Sequence, residues 1–202
     1  MTIDEIMRLA PVIPVLVLEG VQDWAALGET FVRAGLPVLE VTLRTPEALG
    51  AIRQMAAVPG AIVGAGTVLE PRQLDAALDA GSRFIVSPGL TEPLAKAAIA
   101  ARTPFLPGVA TAGDIMRGLD IGLDRFKFFP AEAAGGRAAL SALAGPFGQV
   151  RFCPTGGIRP DNAADWLALE PVLCVGGTWL YRRGHRLDEV ERRARAAAAL
   201  RP

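Results

Sequence analysis

Residues 38–71 read VLEVTLRTPEALGAIRQMAAVPGAIVGAGTVLEP, and the apolar period changes twice within them. Residues 38–43 form a short, β-branched run whose side chains alternate between two faces, as in a strand. After Thr45-Pro46-Glu47, residue types that open helices, Leu49, Ile52 and Met55 recur at helical spacing. Residues 62–67 return to a strand-like run, and Glu70-Pro71 signals the next helix. Strand, helix and strand in this order make one βα repeat with its successor already begun.

The same alternation extends outward to both ends. Strand-like runs fall at residues 12–18, 38–43, 62–67, 84–87, 105–109, 126–129, 151–155 and 172–176, eight in all. Helical periods lie between them, as at Trp24, Leu27 and Phe31, at Leu74, Ala77 and Leu78, and at Leu187, Val190 and Ala194. Thr91-Glu92-Pro93, the box-like residues 111–114 and Arg159-Pro160-Asp161 repeat the helix-start signal. Eight βα units in 202 residues average about 25 residues each, which predicts an α/β chain folded as one compact (β/α)8 TIM barrel, a single domain over residues 1–202. An open doubly wound sheet is the competitor, but it needs a Gly-rich turn after its first strand, which Glu19-Gly20-Val21 does not supply. The Ala/Arg-rich residues 192–202 read as a final helix with a frayed end.

Composition narrows the function. Lys plus Arg and Asp plus Glu both number 21, so no net basic field draws nucleic acid or a membrane surface, and a small molecule is the expected partner. Cys153 and Cys174 lie in apolar runs without the paired spacing of a zinc or redox site, and read as buried thiols. His185 is the only histidine and stands in a polar stretch, so a histidine triad or metal cluster has little to build on and surface titration is its expected role. The apolar residues 11–18 follow two acids, contain two prolines and precede no small-residue cleavage site, so a cytoplasmic protein is expected.

The chemistry is read from charge placed where charge is costly. The chain has two lysines among its 21 basic residues, and one of them, Lys127, interrupts the apolar run FKFFP at 126–130. Arginine cannot lose its proton and attack a carbonyl, so an amine retained here is a candidate Schiff-base nucleophile. Along the second strand Leu39, Val41 and Leu43 share one face while Glu40, Thr42 and Arg44 share the other. A half-exposed amphipathic strand gives the same pattern, but barrel strands are covered on both faces, so the polar face has only the barrel mouth to enter. By the same parity Lys127 and Phe129 point inward, placing an amine and a carboxylate in one confined space. Burying ions costs several kcal/mol, which points to function rather than stability.

Glycine pairs mark the ends of the last two strands, at Thr155-Gly156-Gly157 and Gly176-Gly177-Thr178. Backbone N–H groups bared by glycine at these two positions of a barrel suit a phosphate. Pro88-Gly89 and Pro107-Gly108 read as turns that close strands and shape the pocket. Thr67 offers a hydroxyl either to a carboxylate or as a cap on the following helix.

Residues 39–46 (LEVTLRTP), 62–69 (IVGAGTVL), 87–93 (SPGLTEP), 126–132 (FKFFPAE), 145–147 (GPF), 149–158 (QVRFCPTGGI) and 173–179 (LCVGGTW) together resemble the 2-keto-3-deoxy-6-phosphogluconate (KDPG) aldolase family, whose members often also cleave 4-hydroxy-2-oxoglutarate. The resemblance implies a class I aldolase that needs no metal or other cofactor beyond a covalent Schiff base on Lys127, acts on a keto acid and sugar phosphate, and assembles as a homotrimer. It implies that Glu40 is the general acid/base, that Arg44 and Thr67 hold the pyruvate carboxylate, and that Pro88 and Phe129 are apolar walls. It also implies phosphate binding by Gly156, Gly157 and Gly177, with Thr155, Gly176 and Thr178 beside them. Thr178 stands where many relatives have serine, and residues 180–187 are shorter and more basic than the family pattern. Two rivals remain: an isomerase or epimerase using Glu40 as base without a covalent lysine, and a non-catalytic sugar-phosphate binder.

Overall fold

The computed structural model describes residues 1–20 and 23–200. Val21 of the glycine-turn argument and the end of the expected frayed helix, Arg201 and Pro202, lie outside the described residues. The strands are β1 (Val12–Leu16), β2 (Val38–Thr42), β3 (Ile62–Gly66), β4 (Phe84–Val86), β5 (Phe105–Leu106), β6 (Gly108–Val109), β7 (Arg125–Phe128), β8 (Arg151–Pro154) and β9 (Val175–Gly177). The helices are α1 (Ile3–Arg8), α2 (Trp24–Arg33), α3 (Ala48–Ala56), α4 (Pro71–Asp79), α5 (Glu92–Ala100), α6 (Ala112–Asp120), α7 (Gly136–Ala144), α8 (Ala163–Leu167) and α9 (Leu187–Ala198). The chain is an α/β fold of parallel strands, with a six-stranded sheet in the order β5-β4-β3-β2-β1-β9 and a three-stranded sheet in the order β6-β7-β8.

The fifth expected strand, residues 105–109, is split, and Pro107-Gly108 lies in its path instead of closing it. Pro107 has no N–H for the ladder, so the pairing breaks there, while its carbonyl accepts the Lys127 N–H at 2.9 Å. Gly108 is required by close approach, since a Cβ on it would overlap the Pro88 carbonyl. The last strand starts later than expected and contains Gly176 and Gly177, which pair with Ile13 and Pro14 of β1. Side chains there have no room, because a Cβ on Gly176 would overlap Thr155 Oγ1 and one on Gly177 would overlap the Trp179 ring.

Every residue of β1, β2 and β3 is buried, as strands covered on both faces require. The two faces feed two cores. Leu39, Val41, Val63, Ala65, Ile85, Phe126, Phe128 and Phe152 pack against the helices. Ile13, Val38, Ile62, Phe84, Val86, Leu106, Cys153 and Cys174 form a second cluster on the opposite face. The period of two therefore places Glu40 and Thr42 on the face of Val38, and Lys127 opposite that of Phe126 and Phe128.

Helix α1 was not legible as an element. Thr2 and Glu5 form a reciprocal capping box, Arg8 sits in the last turn, and Ile6 and Met7 fill one end of the second cluster. Asp4 accepts from Arg8 Nε at 2.7 Å and from Arg125 Nε of β7 at 2.5 Å, tying this short helix to the sheet. His185 is half-buried. Its Nδ1 accepts the Arg182 N–H at 3.0 Å and its ring meets Tyr181 edge-on. Among the described residues no helix is long and apolar enough to cross a membrane.

Candidate active site

Strands β2 and β7 carry the two groups that define the site. Register sets Glu40 beside Gly64 of β3, and Lys127 beside Gly108 of β6 and Cys153 of β8. Lys127 Nζ donates to Glu40 Oε1 at 3.0 Å and lies 3.4 Å from Oε2. Their side chains are only 7% and 4% exposed, so this ion pair has left water almost completely. Removal from water costs several kcal/mol per ion, recovered only through close contact of this kind. Lys127 Nζ also lies 5.4 Å from the centre of the Phe129 ring, within reach of a cation–π contact.

Two glycines of β3 make room, one for the core ring beneath the site and one for the site itself. A Cβ on Gly64 would fall 2.5 Å from the Phe84 ring, and one on Gly66 would overlap Glu40 Oε1. Gly66 also leads into Thr67, whose φ of 57° is left-handed, an unusual and strained state for a β-branched residue. Arg44 Nε donates to Thr67 Oγ1 at 3.2 Å, and helix α4 takes Glu70 rather than Thr67 as its N-cap. Of the two roles left open for Thr67, capping is set aside. The chain on either side of Arg44 is held as well: Thr42 Oγ1 donates to the Leu16 carbonyl at 2.9 Å and Thr45 Oγ1 to the Leu18 carbonyl at 2.5 Å. The guanidinium itself is exposed and able to meet a carboxylate with its remaining donors.

After β8 the chain turns through Gly156 and Gly157, at φ 101° and 81°, values that glycine adopts without strain. Thr155 is buried and bridges to Gly176, which joins this turn to β9. Gly156 also adjoins the Lys127 side of the site, since a Cβ on it would lie 3.4 Å from the Phe129 ring. Pro88 is half-buried just past β4, and Thr178 is exposed just past β9. The structure thus joins Lys127, Glu40 and Phe129 directly, joins Arg44 with Thr67, and joins Thr155 with Gly176. Gly66 connects the first two groups.

Two contributors were missed. Gly66 shows its importance only once β2 and β3 are placed side by side. Glu132, inside the quoted FKFFPAE, accepts from Trp166 Nε1 at 2.9 Å and from Asn162 Nδ2 at 3.2 Å, partners far away in sequence. Among the described residues no cluster of three or more His, Cys, Asp or Glu side chains is arranged to hold a metal ion.

A buried amine touching a carboxylate, with an arginine and a glycine turn nearby, suits covalent attack on a keto acid. The chain matches the family described as KDPG and KHG aldolase over residues 3–193. It is 59% identical to the 2-dehydro-3-deoxy-phosphogluconate aldolase of Zymomonas mobilis over 182 residues, which cover 90% of this chain and 88% of the relative. It is 55% identical to the KHG/KDPG aldolase of Escherichia coli K12 over 178 residues, 88% of this chain and 84% of the relative. A crystal structure of the KDPG aldolase of Legionella pneumophila, with pyruvate captured at low pH as a covalent carbinolamine intermediate, superimposes with a TM-score of 0.95 at 40% identity, covering 98% of each chain.

Proposed function

The chain belongs to the KDPG and KHG aldolase family, and from that premise we propose how its residues divide the work of a class I aldolase. It is a carbon–carbon lyase that cleaves 2-keto-3-deoxy-6-phosphogluconate to pyruvate and glyceraldehyde 3-phosphate. The same site is read as acting on 4-hydroxy-2-oxoglutarate to give pyruvate and glyoxylate. The observation that carries the division of roles is the 3.0 Å contact between Lys127 Nζ and Glu40 Oε1.

Glu40 takes a proton from the Lys127 ammonium, and the freed amine adds to the C2 ketone to give a carbinolamine. Glu40 gives that proton to the carbinolamine hydroxyl, which leaves as water, and the resulting iminium draws electrons from the C3–C4 bond as the restored Glu40 carboxylate, directly or through water, accepts the C4 hydroxyl proton. Glyceraldehyde 3-phosphate departs, the enamine is protonated at C3, and hydrolysis of the new iminium releases pyruvate and restores Lys127. Arg44, steadied by Thr67, holds the carboxylate and so fixes which carbon meets the amine. Phe129 and Pro88 wall the site, and Gly156, Gly157, Gly176 and Gly177, with Thr155 and Thr178, form the phosphate end.

The two sheets are read as one closed (β/α)8 barrel and a single domain over residues 1–202. Supporting this, Pro107 alone separates β5 from β6, and the Phe152–Val172 and Thr155–Gly176 bridges link β8 toward β9. A homotrimer follows from the family resemblance, and the two free buried thiols suit a reducing compartment such as the cytoplasm. Reduction with borohydride in the presence of pyruvate tests the assignment. A stable adduct mapped to Lys127 is expected, and its absence in folded protein would favour an isomerase that uses Glu40 alone.

A further inference from the structure

We propose that Glu132 is the positioning residue of the phosphate turn, holding its amides outward through Asn162 and Trp166. This rests on reading the Gly156-Gly157 turn as the phosphate end of the site. Glu132 follows Lys127 by one short stretch of chain, yet none of the Schiff-base steps uses it.

The argument starts from peptide geometry. In a trans peptide the C=O of one residue and the N–H of the next point in opposite directions. The Gly156 carbonyl accepts the Glu132 N–H at 3.0 Å, and the Gly157 carbonyl accepts from Asn162 Nδ2 at 3.2 Å and Arg159 Nη1 at 3.3 Å. The N–H groups of Gly157 and Ile158 are therefore aimed away from these partners and out of the turn. Successive N–H groups released in this way form a concavity for an anion.

Asn162 is held with every polar group committed. One amide hydrogen goes to the Gly157 carbonyl and the other to Glu132 Oε1 at 3.2 Å, while its Oδ1 accepts the Arg159 N–H at 2.7 Å. Glu132 Oε1 is held in turn by Nε1 of Trp166, a residue buried in the core, at 2.9 Å. The stem of Glu132 packs against the turn itself: a Cβ on Gly157 would lie 2.5 Å from Glu132 Cγ. Glu132 thus fastens the turn from three sides: through its backbone N–H, its stem and its carboxylate oxygen.

The role calls for an acceptor oxygen and not for a charge, which would oppose a bound phosphate. Glu132→Gln keeps Oε1 for Trp166 and Asn162, whereas Glu132→Ala and Asn162→Ala release the turn. Steady-state kinetics on KDPG and on unphosphorylated 4-hydroxy-2-oxoglutarate separate the effects. Each alanine variant is expected to raise KM for KDPG about three- to tenfold, the scale of one or two lost hydrogen bonds. KM for 4-hydroxy-2-oxoglutarate, kcat and borohydride trapping of pyruvate should remain within about twofold, and Glu132→Gln should restore the wild-type KM. Equal losses on both substrates, or a Gln variant as impaired as the Ala variant, would overturn the proposal. Inorganic phosphate as a competitor of wild-type KDPG cleavage tests the premise separately: competition supports the phosphate turn, and none would remove that reading and the role of Glu132 with it.

Discussion

The space that a side chain at Gly66 would fill is occupied by the carboxylate of Glu40: a Cβ there would overlap Oε1 and fall 2.6 Å from Cγ. Gly66→Ala should therefore push Glu40 off Lys127, because the clash falls on the Glu40 side chain, from Cγ to the carboxylate, and on no backbone atom. Positioned acid–base groups contribute about 10²- to 10⁴-fold, so kcat for KDPG cleavage is expected to fall by at least about tenfold. Borohydride trapping of pyruvate on Lys127 should still map to that residue but form more slowly, because Glu40 also takes the proton that frees the amine. An unchanged kcat would show that Glu40 acts from another position.

The Lys127–Glu40 pair also makes a prediction about stability. Removing one partner of a buried pair costs about 3–5 kcal/mol, because the remaining charge is left in a low-dielectric site. Lys127→Met should lose activity and stability together in urea denaturation at neutral pH. Adding Glu40→Gln should return about 1 kcal/mol or more while activity stays lost. A double variant no more stable than Lys127→Met would mean that the carboxylate finds water once its partner is gone.

The sequence disclosed most where local chemistry broke a strong expectation. Glu40 on a strand covered on both faces, and Lys127 within an aromatic run, were legible because each violates the apolar pattern around it, whereas Arg44, read as the end of that strand, lies in the turn just past it. Helix starts at Thr111 and Glu70 were legible because a cap and a first-turn proline are local signals. Helix α1 escaped because six residues give less than two turns of periodicity, and its helical state depends on burying Ile6 and Met7. Gly66 and Glu132 escaped for a different reason: their contacts join residues 26, 30 or 34 positions apart, and composition alone encodes no such pairing.

Thr67 holds strain that substitution can release. Its φ of 57° costs a β-branched residue about 1–3 kcal/mol, while glycine takes the same angle freely and asparagine tolerates it. Thr67→Gly is expected to gain stability, about 1 kcal/mol after allowing for the looser unfolded chain. It should also raise KM for keto acids about three- to tenfold, since Arg44 Nε loses its acceptor. Thr67→Asn should keep KM closer to wild type. Thermal melts and keto-acid kinetics check both parts, and a Gly variant with unaltered KM would remove Thr67 from the positioning of Arg44.

Asp4 links stability to acid through α1. The Arg8 hydrogen bond acts most strongly on its carboxyl, burial opposes it, and the Arg125 contact reinforces it, so the group is held below the usual carboxylate range. A carboxyl lowered on folding contributes fully above its unfolded value, about 3.9, and the contribution is lost as pH falls through the lower folded value. Asp4→Asn should therefore be less stable than wild type at pH 7, by no more than about 1 kcal/mol because the pair is partly exposed and screened. The gap should begin to close below about pH 4 and vanish in stronger acid, where both proteins carry a neutral side chain at this position. High salt at pH 7 should narrow it as well. Thermal melts across this range provide the check: a gap that stays constant with pH would mean that Asp4 holds α1 to β7 by shape and hydrogen bonding alone, with no share from its charge.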